Sequence, residues 1–221
     1  IELNTRLALA QNDTLEISWS YQCRGFYYHM IGQLDSSIYF YKKAYKAGES
    51  ISSDEMTFGP LNNIALIYSE HGDFRNAVQI YDSIAILCKS ATFDCEYFLL
   101  NRGYALNALG EPVKALDDYF KVRRTYAQEN DFLVANADHF IGQTLAQYGL
   151  NQEALKYFSS VYSYFTENGN IRQLPVAMES IGSIMLELDK LKEAEYYFRK
   201  SLEYKKTHNQ PPNRLKSFEP F

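Results

Sequence analysis

A spacing of twelve residues between two small side chains, met five times, narrows more than any other feature what this chain can fold into. Gly25, Ala65, Gly103, Gly142 and Gly182 are each followed twelve positions later by Ser37, Ala77, Ala115, Ala154 and Ala194. Four positions further on stands an aromatic: Tyr41, Tyr81, Tyr119, Phe158 or Phe198. Between the two small residues lies a turn former, Gly32, Gly72, Gly110, Gly149 and finally Asp189. Successive units start 40, 38, 39 and 40 residues apart. Self-similarity at such a period marks a stacked repeat architecture.

Each unit reads as two antiparallel helices joined by a tight turn. Helices cross closely only where both present small residues, so that the ridges of one enter the grooves of the other. The aromatic one turn later fills the wedge beside the crossing. Glycine at the turn ends the first helix in a left-handed conformation that other residues resist. Asp35, Asp73 and Asn151 are placed to cap second helices. Pro112 sits in a first turn, where its missing N–H costs little. Ser52-Ser53-Asp54-Glu55 reads as a capping box that restarts a helix. Gly59-Pro60 and Leu174-Pro175 each mark a kink or a true helix start, because proline removes a donor and bars the preceding residue from helix.

The stretches ALIYSEHGDFRNAVQIYDSI and GYALNALGEPVKALDDYFKV resemble the tetratricopeptide repeat, and the likeness runs over about residues 18 to 205. The longer period and the missing closing Pro depart from the usual repeat. They place the extra residues between one unit's second helix and the next unit's first, as in repeats of bacterial signalling and peptide-sensing proteins. The resemblance implies an all-α, right-handed superhelical solenoid of antiparallel helix hairpins. Its repeats run over about 14–48, 52–90, 92–129, 131–168 and 170–207, with a partial leading helix over 1–12. These form a single solenoid over 1–207, and 208–221 is tail or linker. The apolar face of Leu3, Leu7 and Ala10 at the edge of such a stack implies that further repeats come before it.

Composition excludes several kinds of work. A net charge of -5 disfavours non-specific nucleic-acid binding, which needs clustered Lys and Arg. No apolar run approaches the roughly 20 residues that span a bilayer. Cys23, Cys88 and Cys95 make an odd number, which suits free buried thiols and a reducing compartment. The cytoplasm is therefore favoured, with a periplasmic sensor region left open. No phosphate loop, nucleophile elbow, HExxH or paired CxxC is present, so neither enzyme activity nor a cofactor is expected. His29, His71, His139 and His208 lie in separate units without a second ligand at metal spacing, and no metal site is expected. Acidic pairs such as Asp117-Asp118 read as solvated outer surface.

Binding is the sharper expectation. In the resembled family, ligand contacts come from first-helix positions that point away from the second helix. By register these are Gln22 and Phe26, then Asn62, Asn63 and Leu66, then Tyr97, Asn101 and Tyr104, then His139 and Gln143. Asn63 and Asn101 stand two residues before the crossing residue, where an amide can both donate to and accept from a peptide backbone. Phe26 and Tyr104 suit aromatic anchors. A carboxylate clamp of the chaperone co-factor type is not expected, because Gln22, Phe26, Leu100 and Tyr104 stand at its basic and amide positions and only Asn63 agrees. The reading is a non-enzymatic scaffold for a protein or peptide segment, the sensing or interaction part of a larger regulatory protein. Its alternatives are a self-association module using exposed solenoid ends, and a regulatory subunit acting on a signalling enzyme or response regulator.

Overall fold

The computed structural model describes residues 13–89 and 95–208. The expected leading helix over 1–12 and the tail beyond His208 lie outside the described residues. Among the described residues ten helices form five hairpins: α1 (Thr14–Met30) with α2 (Leu34–Ser50), α3 (Asp54–Glu70) with α4 (Phe74–Leu87), α5 (Phe98–Ala108) with α6 (Pro112–Thr125), α7 (Asp131–Gln147) with α8 (Asn151–Glu167), and α9 (Leu174–Glu187) with α10 (Leu191–His208). No strand occurs among the described residues, and no helix there is long and apolar enough to cross a membrane. The chain divides into two compact units between Asp118 and Tyr119, within α6.

The crossing has a direct steric cause. An added Cβ on Gly25 would lie 2.7 Å from the Tyr41 ring, and one on Gly142 equally close to Phe158. The aromatic sixteen residues on is therefore laid flat against the crossing glycine. Tyr41, Tyr81 and Tyr119 are almost wholly buried, and Ala65, Ala77, Ala115 and Ala154 wholly so. The serine of the first unit has its own reason. Ser37 Oγ donates to the Gly25 carbonyl at 2.7 Å, bonding the two helices where later units use alanine. All five turn residues adopt positive φ, from 57° at Asp189 to 79° at Gly110.

In the first unit each helix packs on its sequence neighbour, and the first helices also touch one another in order, α1 on α3 and α3 on α5. Tyr41, Ile64 and Ile67 centre one of its apolar clusters. In the second unit α7, α8, α9 and α10 pack likewise, around Val161, Phe165, Leu174 and Met178 on one level and Phe158, Ile181 and Ile184 on another.

Several local expectations change in the structure. Of the three proposed caps only Asp73 acts, accepting from Asn76 N–H; Asp35 lies inside α2 and Asn151 inside α8, behind Gln33 and Leu150. Ser53 caps α3 by accepting from Met56 N–H, with Met rather than Glu at the third position, so the full box is absent. Pro60 neither starts nor breaks α3 but sits buried inside it. Gly48 shares in that arrangement, since a Cβ there would come within 2.9 Å of the Met56 carbonyl, the group Pro60 leaves without its helical donor. Pro175 does stand at a helix start. The free-thiol expectation fails for two of the three cysteines: Cys88 and Cys95 are joined as a disulfide, their Cα atoms 6.0 Å apart, across the connection between α4 and α5. Cysteine usage therefore no longer argues for a reducing compartment.

Candidate functional site

The face that could hold a partner is built from the first helix of each hairpin, because each second helix spends its apolar side on the crossing. In the first unit this face comes from α1, α3 and α5. Gln22 on α1 lies against Gly59 of α3, where a Cβ would meet its Oε1 at 3.0 Å. One turn-pair further along, His29 Nε2 and Glu70 Oε2 pair at 2.7 Å. These contacts set α1 beside α3 and give way to the next arc of α1.

Leu15, Trp19, Phe26 and Met30 occupy that arc, exposed to 55%, 50%, 43% and 57%. Leu66 on α3 is half-buried at the repeat position of Phe26. Tyr97, just before α5, is 37% exposed and meets Phe58 edge to face at 5.2 Å. Tyr104 on α5 is 46% exposed and meets Phe74 at 5.9 Å. Asn63 and Asn101 are half-buried. Asn62 is half-buried too, and its amide oxygen is enclosed without a hydrogen bond from the described residues. An enclosed acceptor left so costs about 1–3 kcal/mol. The structure thus collects eight of the ten sequence-derived positions in one unit, seven on three neighbouring helices and Tyr97 at the cap of the third.

The other two belong to the second unit. His139 on α7 is enclosed by aromatic rings, 5.9 Å from Phe140 and 5.7 Å from Phe158. Burial pushes its pKa below the ordinary histidine value, so it sits there as neutral imidazole. Gln143, one turn on, is exposed. Nearby first-helix polar groups are engaged: Asn136 donates to the Phe132 carbonyl at 2.9 Å, and Glu179 accepts from Ser201 and Lys205. Although its partial burial pushes the other way, those two bonds bring the Glu179 carboxyl below its usual value.

Two features escaped sequence reading. The first is the extension of the Phe26 position to Leu15, Trp19 and Met30, whose spacing of four, seven and four was visible as helical periodicity. The second is a pair of buried carboxylates. Asp118, expected on a solvated surface, is buried and gripped by Arg102 through Nε at 2.8 Å and Nη2 at 2.6 Å, while Arg102 Nη1 also reaches Asp82 at 3.1 Å. Asp138 is likewise buried, held by Arg123 Nε at 2.7 Å and Ser160 Oγ at 3.2 Å. No local signal marks these pairs, because the partners lie 15 to 22 residues apart on different helices. Among the described residues no three His, Cys, Asp or Glu side chains come together as a metal site would need.

No family model and no curated protein matches this sequence. Solved structures do match. BtubC (BKLC) from P. vanneervenii shares 13% identity at a TM-score of 0.82, over 100% of this chain and 92% of that one. A signal transduction ATPase with numerous domains, bearing a tetratricopeptide repeat sensor, from Pyrococcus horikoshii, shares 17% at 0.75, over 90% of this chain and 32% of that one. Nearly identical TPR-like repeats from a Podosopora anserina protein share 14% at 0.67, over 86% and 96%. At such identities the likeness establishes the fold: an α-α solenoid of tetratricopeptide-like repeats.

Proposed function

We propose that this chain is a non-enzymatic scaffold that holds a protein or peptide segment on the first-helix face of its tetratricopeptide-like hairpins, as the sensing or interaction part of a larger regulatory protein. The observation that carries the reading is the face formed by α1, α3 and α5. There exposed Phe26, Tyr97 and Tyr104 stand with the half-buried amides of Asn63 and Asn101 on one unit. Large rigid aromatics give contact area at small entropic cost, and amides satisfy a bound backbone in both directions. A regulatory setting draws support from the Pyrococcus horikoshii neighbour, in which repeats of this fold form the sensor of a signalling ATPase.

The test is a selection of displayed random peptides on the whole chain, counter-screened on a variant with Asn63→Ala and Asn101→Ala whose helicity and melting temperature are unchanged. Enriched peptides that bind the variant at least tenfold more weakly support the assignment. An absence of enriched peptides, or peptides that bind both proteins alike, overturns it.

A further inference from the structure

Four of the five first helices begin on a polar side chain. Asp13, Ser53 and Asn130 cap α1, α3 and α7, and Asn170 accepts from the Gln173 N–H ahead of α9. Such side chains satisfy N–H groups that a first turn leaves without helical partners. No side chain caps α5. Its entry is held by backbone bonds, from Phe98 N–H to the Cys95 carbonyl at 3.5 Å and from Leu99 N–H to that of Glu96 at 3.0 Å. The first of these is long for a hydrogen bond. What stands at this position instead of a cap is the disulfide. Cys88 is the C-cap residue of α4 and Cys95 lies just ahead of α5, so their bond ties one helix end to the next helix start.

The residues that follow belong to the proposed binding face. Tyr97 meets Phe58 of α3 edge to face at 5.2 Å, and Phe98 stacks on Tyr81 of α4 at 6.2 Å. Asn101 comes one turn after Tyr97, within α5. Fixing Cys95 therefore fixes the origin of the turn that carries both groups. The two bonded cysteines differ in access, Cys95 being buried and Cys88 half-buried. Exchange needs one sulfur within reach of a thiolate, and Cys88 offers it. Burial pushes the Cys23 thiol on α1 up, so it stays protonated and competes poorly for either sulfur.

We infer that the Cys88–Cys95 bond is a redox latch on the binding face of the first unit: oxidised, it holds α5 so that Tyr97 and Asn101 meet a bound segment, and a dithiol reductant releases them. This rests on the scaffold reading above and adds its regulation. In the releasing step a thiolate of the reductant attacks Cys88 Sγ, the sulfur–sulfur bond breaks, and the Cys95 thiolate leaves and takes a proton. The reductant's second thiolate then attacks its own sulfur in the mixed disulfide and frees the Cys88 thiolate, which is protonated in turn. The dithiol gives up two electrons and two protons and becomes a cyclic disulfide; the oxidised dithiol reverses the sequence. Linkage makes the latch reciprocal, so a ligand that prefers the oxidised chain shifts the disulfide equilibrium toward it by the same factor.

The experiment uses the whole chain, peptides selected by display on its oxidised form, and defined ratios of reduced to oxidised dithiothreitol. The peptides are expected to bind the oxidised chain at least about tenfold more tightly than the reduced one. Cys88→Ser with Cys95→Ser should bind like the reduced chain at every ratio. Saturating peptide should raise, by the factor that separates the two affinities, the ratio at which half the disulfide is reduced, read by alkylation and mass spectrometry. A bond that merely stabilises the fold would show no such shift. Without peptide, reduction should lower hydrogen-exchange protection most in residues 98–102. Circular dichroism follows the fold of the reduced chain and the variant.

Equal affinity in both redox states, an unmoved half-reduction ratio, or equal protection of 98–102 overturns the latch. So does a reduced chain that unfolds as a whole, which makes the bond a structural one. If the peptides depend on Asn63 and Asn101 but bind both redox states alike, the scaffold reading stands and only its regulation is wrong. If display yields no peptide, the scaffold reading fails and this inference with it.

Discussion

Asp118 shows what one residue's surroundings do to its chemistry. Burial raises its pKa, and the two-pronged Arg102 contact opposes that by stabilising the charge. Removing the arginine would strand an enclosed carboxylate. Arg102→Ala should therefore cost about 3 kcal/mol, near the low end for a broken buried pair, because the arginine keeps some solvent contact. Urea unfolding measures it, and Asp82→Ala, which removes the exposed arm, should cost well under 1 kcal/mol. His139 makes the opposite case. Its folded pKa lies below the ordinary value of 6.5, so on acidification the unfolded chain takes up a proton that the folded one resists. Stability from this site is complete above that value and falls as pH drops below it, levelling off only when the enclosed ring itself protonates. Melting of the chain at about pH 7.5 and about pH 5.5, beside His139→Phe, should show a smaller acid loss in the variant.

At the scale of the element, the hairpin is a contact between an absent Cβ and a ring. Gly142→Ala forces its methyl to within 2.7 Å of Phe158, whereas Gly182→Ala meets Phe198 at 3.0 Å. Overpacking of this kind costs about 1–3 kcal/mol, and Gly142→Ala should be the more costly of the two by thermal melting. Partial rescue by Phe158→Leu would confirm the ring as the cause. Gly149→Ala tests a different mechanism, since no atom lies within 4 Å of its added Cβ. Its φ of 74° alone should cost about 1 kcal/mol. The hairpin was legible because crossing glycine, turn and ring all lie within seventeen consecutive residues, so their spacing carries their geometry. The caps were less legible. Asp35 and Asn151 have the right chemistry, but Gln33 and Leu150 hold the cap positions. A shift of one or two residues in where the turn ends decides which side chain meets the free N–H groups.

On the scale of the whole molecule, two compact units share one repeat design but differ in their first-helix faces. The first presents exposed Trp19, Phe26, Tyr97 and Tyr104, and the second presents exposed Phe132, Val176 and Leu186 beside polar groups already bonded within the chain. The cysteine pair belongs to the first unit alone, and closing a loop of that length stabilises by about 2 kcal/mol in the chain-entropy description. Reductant should therefore lower hydrogen-exchange protection in residues 14–118 and leave 131–208 unchanged, and Cys88→Ser with Cys95→Ser should abolish the response. The sequence by itself determined the helix pairs, their turns and the aromatic beside each crossing, buried in four units and half-buried at Phe198, because those contacts close within one hairpin and recur with its period. Only the tertiary structure decided that Asp118 and Asp138 are buried, that Cys88 meets Cys95, and that Leu15, Trp19 and Met30 are exposed along with Phe26. Each of these depends on what a neighbouring helix covers or leaves uncovered, and a repeat period carries no record of that.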